Sequence, residues 1–351
     1  MINTIDKLYQ ENTLSKNELL SLLSTISKED ENYLFKKAYE TRFKFYQNRV
    51  FVRGLIEFSN FCKNPCKYCG ISTHNKNITR YRMKKDEIIE TAIEGYKLGF
   101  KTFVLQGGED PYFTDLVFID IISNIKKHCK DAAITLSIGE RLKEGYQAFY
   151  NAGADRFLLR HETVNHTLYK NLHNHLSLDN RIRCLYDLKN IGYQVGSGFM
   201  VGVPGQTLDD LANDLLFLKK LNPHMVGIGP FIPHNETPLK DYPAGSSQMT
   251  YRLLALIRLL IPKVLLPSTT ALATLKAENR YQGFNVGANV VMPNLTPYKY
   301  RKQYQLYNGK KINDTESYIH LADLKQETKE AGFEIDMNRG DCIDWRRKND
   351  Y

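Results

Sequence analysis

The chain has 351 residues, 48 Lys and Arg against 39 Asp and Glu, a formal net charge of +9, and 42% hydrophobic and 25% charged residues. That composition excludes a disordered chain, and no apolar run reaches the roughly 18–20 residues that cross a bilayer. The basic excess is scattered in short groups such as Lys84-Lys85, Lys126-Lys127 and Arg346-Arg347-Lys348, not in the long block that marks a nucleic-acid patch, so neither a nucleic acid nor a membrane is expected as a partner.

The start, MINTIDKLYQENTL, lacks a signal-peptide core, and a cytoplasmic protein is expected. Residues 1–48 read as helix: Leu14, Leu19, Leu20, Leu22 and Leu23, then Tyr33, Leu34, Phe35, Ala38 and Tyr39, form an apolar stripe at helical spacing. Ser15, three residues before Glu18, predicts a capping box.

From residue 50 the period alternates. Short β-rich runs occur at 50–58, 101–105, 132–138, 156–159, 194–201, 225–228, 264–267 and 284–291. Helical segments lie between them at 84–98, 116–128, 144–151, 180–190, 208–221 and 250–260, several ending at a glycine such as Gly99, Gly153 or Gly192. Eight β runs separated by helices predict an α/β fold, a complete (β/α)8 TIM-type barrel, with an open doubly wound sheet as the alternative. The expected organisation is an N-terminal helical extension (1–48), the barrel (49–299) and a C-terminal helical cap (300–351), whose charged tail from Asp341 is expected to be loosely ordered.

Six cysteines do not make a disulfide framework in a chain of this length. Cys62, Cys66 and Cys69 form a C-x3-C-x2-C motif directly after the first predicted strand, at the end where a barrel carries its active-site loops; Cys129, Cys184 and Cys342 are isolated. Three clustered thiolates can ligate three irons of a [4Fe-4S] cube and leave the fourth open to another ligand. Zinc held by the three cysteines and His74 is the competing reading, although the spacing lacks the paired C-x2-C halves of a structural zinc site.

That motif, with Tyr68 inside it, is joined by Gln106-Gly-Gly-Glu-Asp-Pro111 after the second strand, Arg160-His-Glu-Thr163 after the fourth, Gly202-Val-Pro-Gly-Gln-Thr207 after the fifth and Gly229-Pro-Phe-Ile-Pro-His234 after the sixth. Together they resemble the radical S-adenosylmethionine superfamily. Within it they are similar to the [FeFe]-hydrogenase maturase family HydE, a relative of biotin synthase and methylornithine synthase, from about Arg53 to Tyr307.

The resemblance implies one [4Fe-4S] cluster on Cys62, Cys66 and Cys69, and S-adenosylmethionine chelated to its open iron. It implies cofactor contacts from Tyr68 and Gln106, close backbone approach at Gly107 and Gly108, ribose bonding by Glu162 and carboxylate pairing by Arg181. Met200, Phe231 and Ile232 would line the adenine pocket; each is also an ordinary core residue. On the substrate side, Arg53, Thr135, Ser137, Arg160, Thr269, Thr270, Tyr304 and Tyr307 suit a small anionic group, and the Arg160-His161 pair argues against a diamino acid.

The reaction implied is attack by a 5′-deoxyadenosyl radical on an iron–cysteine complex carrying carbon monoxide and cyanide, with ferredoxin or flavodoxin as reductant and other hydrogenase maturases as partners. A radical mutase or sulfur-inserting enzyme is the nearest alternative, and a non-catalytic iron–sulfur protein that binds nucleic acid the more distant one. Some family members bind a second cluster through C-terminal cysteines; the corresponding stretch, Leu306-Tyr-Asn-Gly-Lys-Lys-Ile-Asn313, has none, so one cluster per chain is expected.

Overall fold

The structure is a computed structural model that describes residues 1–24, 26–276, 279–310 and 317–348. Three helices open the chain, Ile2–Glu11, Lys16–Ser24 and Lys28–Tyr46. The second begins at the predicted box: Glu18 N donates to Ser15 Oγ (3.3 Å) and Ser15 N to Glu18 Oε2 (2.7 Å), a pairing that contributes about 1 kcal/mol. Arg42, fully buried on the third helix, donates to the carbonyls of Gln47, Arg49 and Ala288, bolting the helical layer to the sheet.

The strands are β1 (Arg49–Val52), β2 (Gly54–Ser59), β3 (Thr102–Gly107), β4 (Ala133–Ser137), β5 (Arg156–Leu158), β6 (Gln194–Ser197), β7 (Met200–Val201), β8 (Met225–Val226), β9 (Gly229–Pro230), β10 (Val290–Val291) and β11 (Glu334–Asp336). β2-β3-β4-β5-β6-β8 form a six-stranded parallel sheet, β10-β1-β11 a second sheet, and β7 pairs with β9. The expected ring of eight full strands is therefore six strands plus smaller pairings. Run 264–267 makes only single bridges, Leu265 to Met225 and Pro267 to Val290, and run 284–291 yields only β10, because Asn279–Asn285 is helical. The 50–58 run breaks at Arg53, which frees β1 to pair with β10 and β11.

Register sets the two faces. Leu55, Val104, Thr135, Arg156 and Gln194 stand side by side across the sheet, as do Glu57, Gln106 and Ser137, giving one face a polar character. Phe58 and its neighbours of opposite parity pack on the helices; the Phe58 ring meets Phe113 and Phe118 edge-on. Helices Lys85–Lys97, Asp115–His128, Lys143–Ala152, Leu178–Ile191, Leu208–Leu221 and Ser247–Leu260 fall close to the predicted bounds. His166–His173 and Thr270–Leu275 were not foreseen, while Ser317–Glu330 falls within the expected C-terminal helical cap.

The described residues of the last fifty lie at both ends of the sheet. Residues 300–310 lie by the cysteine loop, where Gly70 N donates to Leu306 O (2.9 Å). Residues 333–345 run under the opposite end: β11 joins β1, Arg156 reaches Asp341 Oδ1 (2.7 Å) and Arg339 O (2.6 Å), and Cys342 N bonds Gln194 Oε1 (2.8 Å). The described part of the tail expected to be loose, 341–348, is anchored because Arg156, fully buried on β5, needs acceptors that the strands do not supply; 349–351 lie outside the described residues. Trp345 adds a bond to Gly192 O (2.9 Å). Among the described residues no helix is long and apolar enough to cross a membrane.

Candidate functional site

The three clustered cysteines follow β2 directly, and their loop is pinned from four sides. Lys63 N donates to Glu109 O, Lys67 N to Leu172 O, Gly70 N to Leu306 O and Thr73 N to Asn64 O, all at 2.9–3.0 Å. Arg80, a residue the motifs did not single out, donates to the carbonyls of Asn60, Ile71 (2.8 Å), Ser72 (2.7 Å) and Asn75 (3.2 Å), so one guanidinium staples the whole loop. A Cβ at Gly108 would lie 2.1 Å from Phe61 O and 2.7 Å from Cys62 Cβ, and one at Gly107 2.6 Å from the Phe58 ring. Packing on the cysteine loop and on Phe58 by itself requires both glycines.

Burial raises the Cys62, Cys66 and Cys69 thiols, Cys69 to about 12, and each is raised further by a neighbouring cysteine or carboxylate. Thiols so placed stay protonated until a cation takes them as thiolates. The other three cysteines lie elsewhere: Cys129 ends the helix Asp115–His128, Cys184 faces Arg141 O, and Cys342 faces Lys263 O. His74, the alternative zinc ligand, is exposed, and among the described residues no three His, Cys, Asp or Glu are gathered to hold a single ion.

A histidine the sequence reading missed stands against the loop. His173 Nδ1 is 3.2 Å from Cys66 Sγ, and its ring is edge-on to Tyr68 at 5.4 Å. Burial lowers its pKa to about 3, which keeps the imidazole neutral, and Nε2 has no partner. Nothing around His173 in the sequence signalled this, since Cys66 is over a hundred positions away.

On the nominated cofactor side, Tyr68, Met200 and Phe231 pack together with Leu168, Leu172 and Val203; Ile232 is buried outside that group. Gln206 fixes the turn after β7, donating to Met200 O (2.8 Å) and accepting from Gly202 N (2.7 Å). Glu162 adopts φ 66°, a left-handed conformation that costs a non-glycine residue about 1 kcal/mol or more. Its Oε2 is buried without a hydrogen-bond partner, 3.0 Å from Arg160 Nη2 in poor alignment, and its charge is felt at Tyr68 and Cys69.

The loop carrying Arg160 and Glu162 is held by the helix Leu208–Leu221. Asp214 Oδ1 accepts from Val164 N and Asp210 Oδ1 from Asn165 Nδ2, both at 2.7 Å. His161 is fully buried between Ser197 Oγ (2.9 Å) and Asp214 Oδ1 (3.4 Å), so it anchors the loop and does not join Arg160 in holding an anion. Arg181 is buried and already spends Nε on Glu140 (2.7 Å) and Nη1 on Arg160 O (3.1 Å). Burial opposes its charge, but the fields of Tyr169, Glu140 and Glu109 outweigh it and hold the guanidinium charged.

The nominated substrate residues divide into two groups. At the mouth, Gln106 and Ser137 face each other across β3 and β4, Tyr304 is buried near Gln106, and Tyr307 lies beside Thr274, with burial pushing its hydroxyl up to about 12. Thr269 Oγ1 is unpartnered, and Thr270, half-buried, begins the helix Thr270–Leu275. Deeper down, Arg53 touches Met225 Sδ (2.9 Å) while its Nε and Nη2 have no partner, and Thr135 Oγ1 is also unpartnered. Burial and the nearby Arg156 lower the Arg53 pKa. A buried pair also went unforeseen: Lys310 Nζ is 2.5 Å from Glu57 Oε1 and 2.8 Å from Tyr304 O, and Asn294 donates to Glu57 Oε2. Its one signal was a lone glutamate on the inward parity of a hydrophobic strand.

A model of the radical SAM superfamily matches residues 56–218. The chain is 50% identical, over 79% of its length and 79% of the relative's, to the [FeFe] hydrogenase maturase subunit HydE of Thermotoga maritima. It is 31% identical, over 82% of its length and 81% of the relative's, to 3-methylornithine synthase of Methanosarcina acetivorans. The crystal structure of methylornithine synthase (PylB) superposes with a TM-score of 0.84 at 28% identity, covering 95% of this chain and 97% of that one. The superfamily implies a [4Fe-4S] cluster and S-adenosylmethionine. Three raised thiols on one pinned loop, beside a carboxylate and a guanidinium with unspent buried atoms, fit that pair chemically. The chain belongs to the HydE family of [FeFe]-hydrogenase maturases and is a radical S-adenosylmethionine enzyme.

Proposed function

We propose that this chain acts in the cytoplasm in assembly of the [FeFe]-hydrogenase diiron site, on a small anionic iron–cysteine complex carrying carbon monoxide and cyanide. Cys62, Cys66 and Cys69 would hold one [4Fe-4S] cluster, and S-adenosylmethionine bound beside it supplies a 5′-deoxyadenosyl radical. The observation that carries the reading is the Arg160–Glu162 pair, with Glu162 buried, Arg160 half-buried, and buried atoms on both partners that have no hydrogen bond. A buried polar atom without a hydrogen bond is costly unless a ligand completes it.

In this reading Glu162 Oε2 accepts from the ribose hydroxyls, and Tyr68, Met200 and Phe231, with Ile232 outside their cluster, cover the adenine. Arg181 orients Glu140 and the Arg160 carbonyl, and Gln106 and Gly107 border the methionyl group. The substrate lies against Arg160, Ser137, Thr269 and Thr270, with Tyr304 and Tyr307 excluding water from the mouth. Arg53 and Thr135 offer donors to an anion at greater depth. Such a lining favours this substrate over the diamino acid of a mutase.

The bridges from Met225 to Leu265, Pro267 to Val290 and Leu55 to Asn294 support a closed eight-membered barrel within residues 49–299. The described residues of 1–48 form an outer extension, and those of 300–351 are shared between mouth and base. An acidic carrier, ferredoxin or flavodoxin, supplies the electron, and other maturases consume the product. Electron paramagnetic resonance of the reconstituted, reduced protein tests the core of this. A cubane signal that changes on adding S-adenosylmethionine is expected; a signal indifferent to it overturns the proposal.

A further inference from the structure

Between Glu57 and Asp86 the chain has no acidic residue and seven basic ones: Lys63, Lys67, Lys76, Arg80, Arg82, Lys84 and Lys85. These residues supply most of the net charge, and the three clustered cysteines lie among them. The segment is folded back on itself as a single surface. Residues 81–83 return antiparallel to 58–60, with Met83 N bonded to Phe58 O (2.8 Å), Asn60 N to Tyr81 O (3.3 Å), and a bridge between Ser59 and Arg82. Arg82 lies 3.7 Å over the Phe61 ring, next to Cys62, and Asn75 bonds Gly70 O (2.7 Å), next to Cys69.

The charges of this surface are unevenly compensated. Lys63 meets Glu109 at 3.5 Å, Arg82 meets the buried Asp110 at 2.7 Å, Lys85 meets Asp120, and Arg80 is spent on carbonyls. Lys76 and Lys84 are exposed and Lys67 half-buried, and among the described residues none of the three is in an ion pair. Carboxylates border this surface as well: Asp86 and Glu236 are exposed, the latter accepting from Asn77, and Glu87 accepts from Lys84 N (2.8 Å) while paired with Lys299.

We infer that this basic surface is the docking site of an acidic one-electron carrier protein. The inference rests on the proposed cluster at Cys62, Cys66 and Cys69. A carrier seated here is drawn in by long-range attraction and comes to rest over the thiol loop. With flavodoxin, one electron leaves the anionic flavin hydroquinone, which becomes the neutral semiquinone without proton transfer, and the cluster is reduced by that one electron.

The test is titration calorimetry of the reconstituted protein with oxidised flavodoxin at low and high salt, paired with S-adenosylmethionine cleavage driven by flavodoxin hydroquinone or by dithionite. The double variant Lys76→Glu, Lys84→Glu should bind flavodoxin about tenfold more weakly and respond less to salt. Its flavodoxin-driven rate should fall similarly while its dithionite-driven rate holds. Lys76→Gln with Lys84→Gln should lie between the two, and both side chains are exposed and outside the ion pairs of the described residues, so the fold should hold. Equal affinity in the charge-reversed protein, or wild-type affinity indifferent to salt, overturns the inference. Failure of the functional reading is seen separately, as no cleavage with dithionite in the unaltered protein.

Discussion

Arg160 and Glu162 oppose their charges at 3.0 Å while leaving Arg160 Nε and Glu162 Oε2 without a hydrogen bond, on a loop whose backbone is forced into the left-handed region at Glu162. Strain and unspent polarity at the same residue are expected where a ligand completes the site.

Glu162→Gln keeps the shape and removes the charge. S-adenosylmethionine should bind about tenfold or more weakly, the range for losing a hydrogen bond to a charged group. Equilibrium binding to the reconstituted protein measures this, with circular dichroism unchanged.

His173→Ala removes the ring 3.2 Å from Cys66 Sγ. If Nδ1–H bonds the ligated sulfur, it stabilises the reduced, more electron-rich state. Its loss should make the midpoint potential more negative, on the order of tens of millivolts. Potentiometry followed by electron paramagnetic resonance reads the shift, and His173→Asn, which keeps a donor, should recover part of it.

Asp341→Asn leaves Arg156 buried with only neutral acceptors and should cost about 3 kcal/mol by chemical denaturation. Burial alone would raise the Asp341 carboxyl, but Arg156 and Arg339 hold it far below the usual carboxylate range. A depressed carboxylate contributes stability that is complete above its unfolded pKa and is lost as pH falls. Wild-type stability should therefore drop below about pH 4, and the variant should lose less over that window.

Iron and sulfide analysis after anaerobic reconstitution should give about four irons per chain, the content of one cubane. About eight would require a second set of ligands, and Cys129, Cys184 and Cys342 are too scattered through the fold to supply it.

Much of the helical layer was legible because its apolar residues recur at a spacing that tertiary packing left unchanged, as in Leu208–Leu221. The cysteine loop was legible because all three thiols are local in sequence. What escaped depends on distance along the chain. His173 meets Cys66, Lys310 meets Glu57, and Asp341 meets Arg156 through pairings that no window of neighbouring residues encodes. The two-residue strands β8 and β10 lie inside the predicted runs 225–228 and 284–291, whose bounds overshoot because so short a pairing leaves no alternating pattern to mark its ends. The tail misled for a related reason: its charges look solvated until Arg156 is known to be waiting for them.

β1 holds β10 on one side and β11 on the other, so one of the earliest strands to be synthesised takes its last neighbour from the far end of the polypeptide. Such a pairing cannot form on the ribosome until nearly all of the chain has emerged, and closing so long a loop is slow. The base of the protein is therefore expected to set last during folding. Substitutions along Glu334–Asp336 should slow that final step while leaving the cysteine loop, at the other end of the sheet, free to organise earlier.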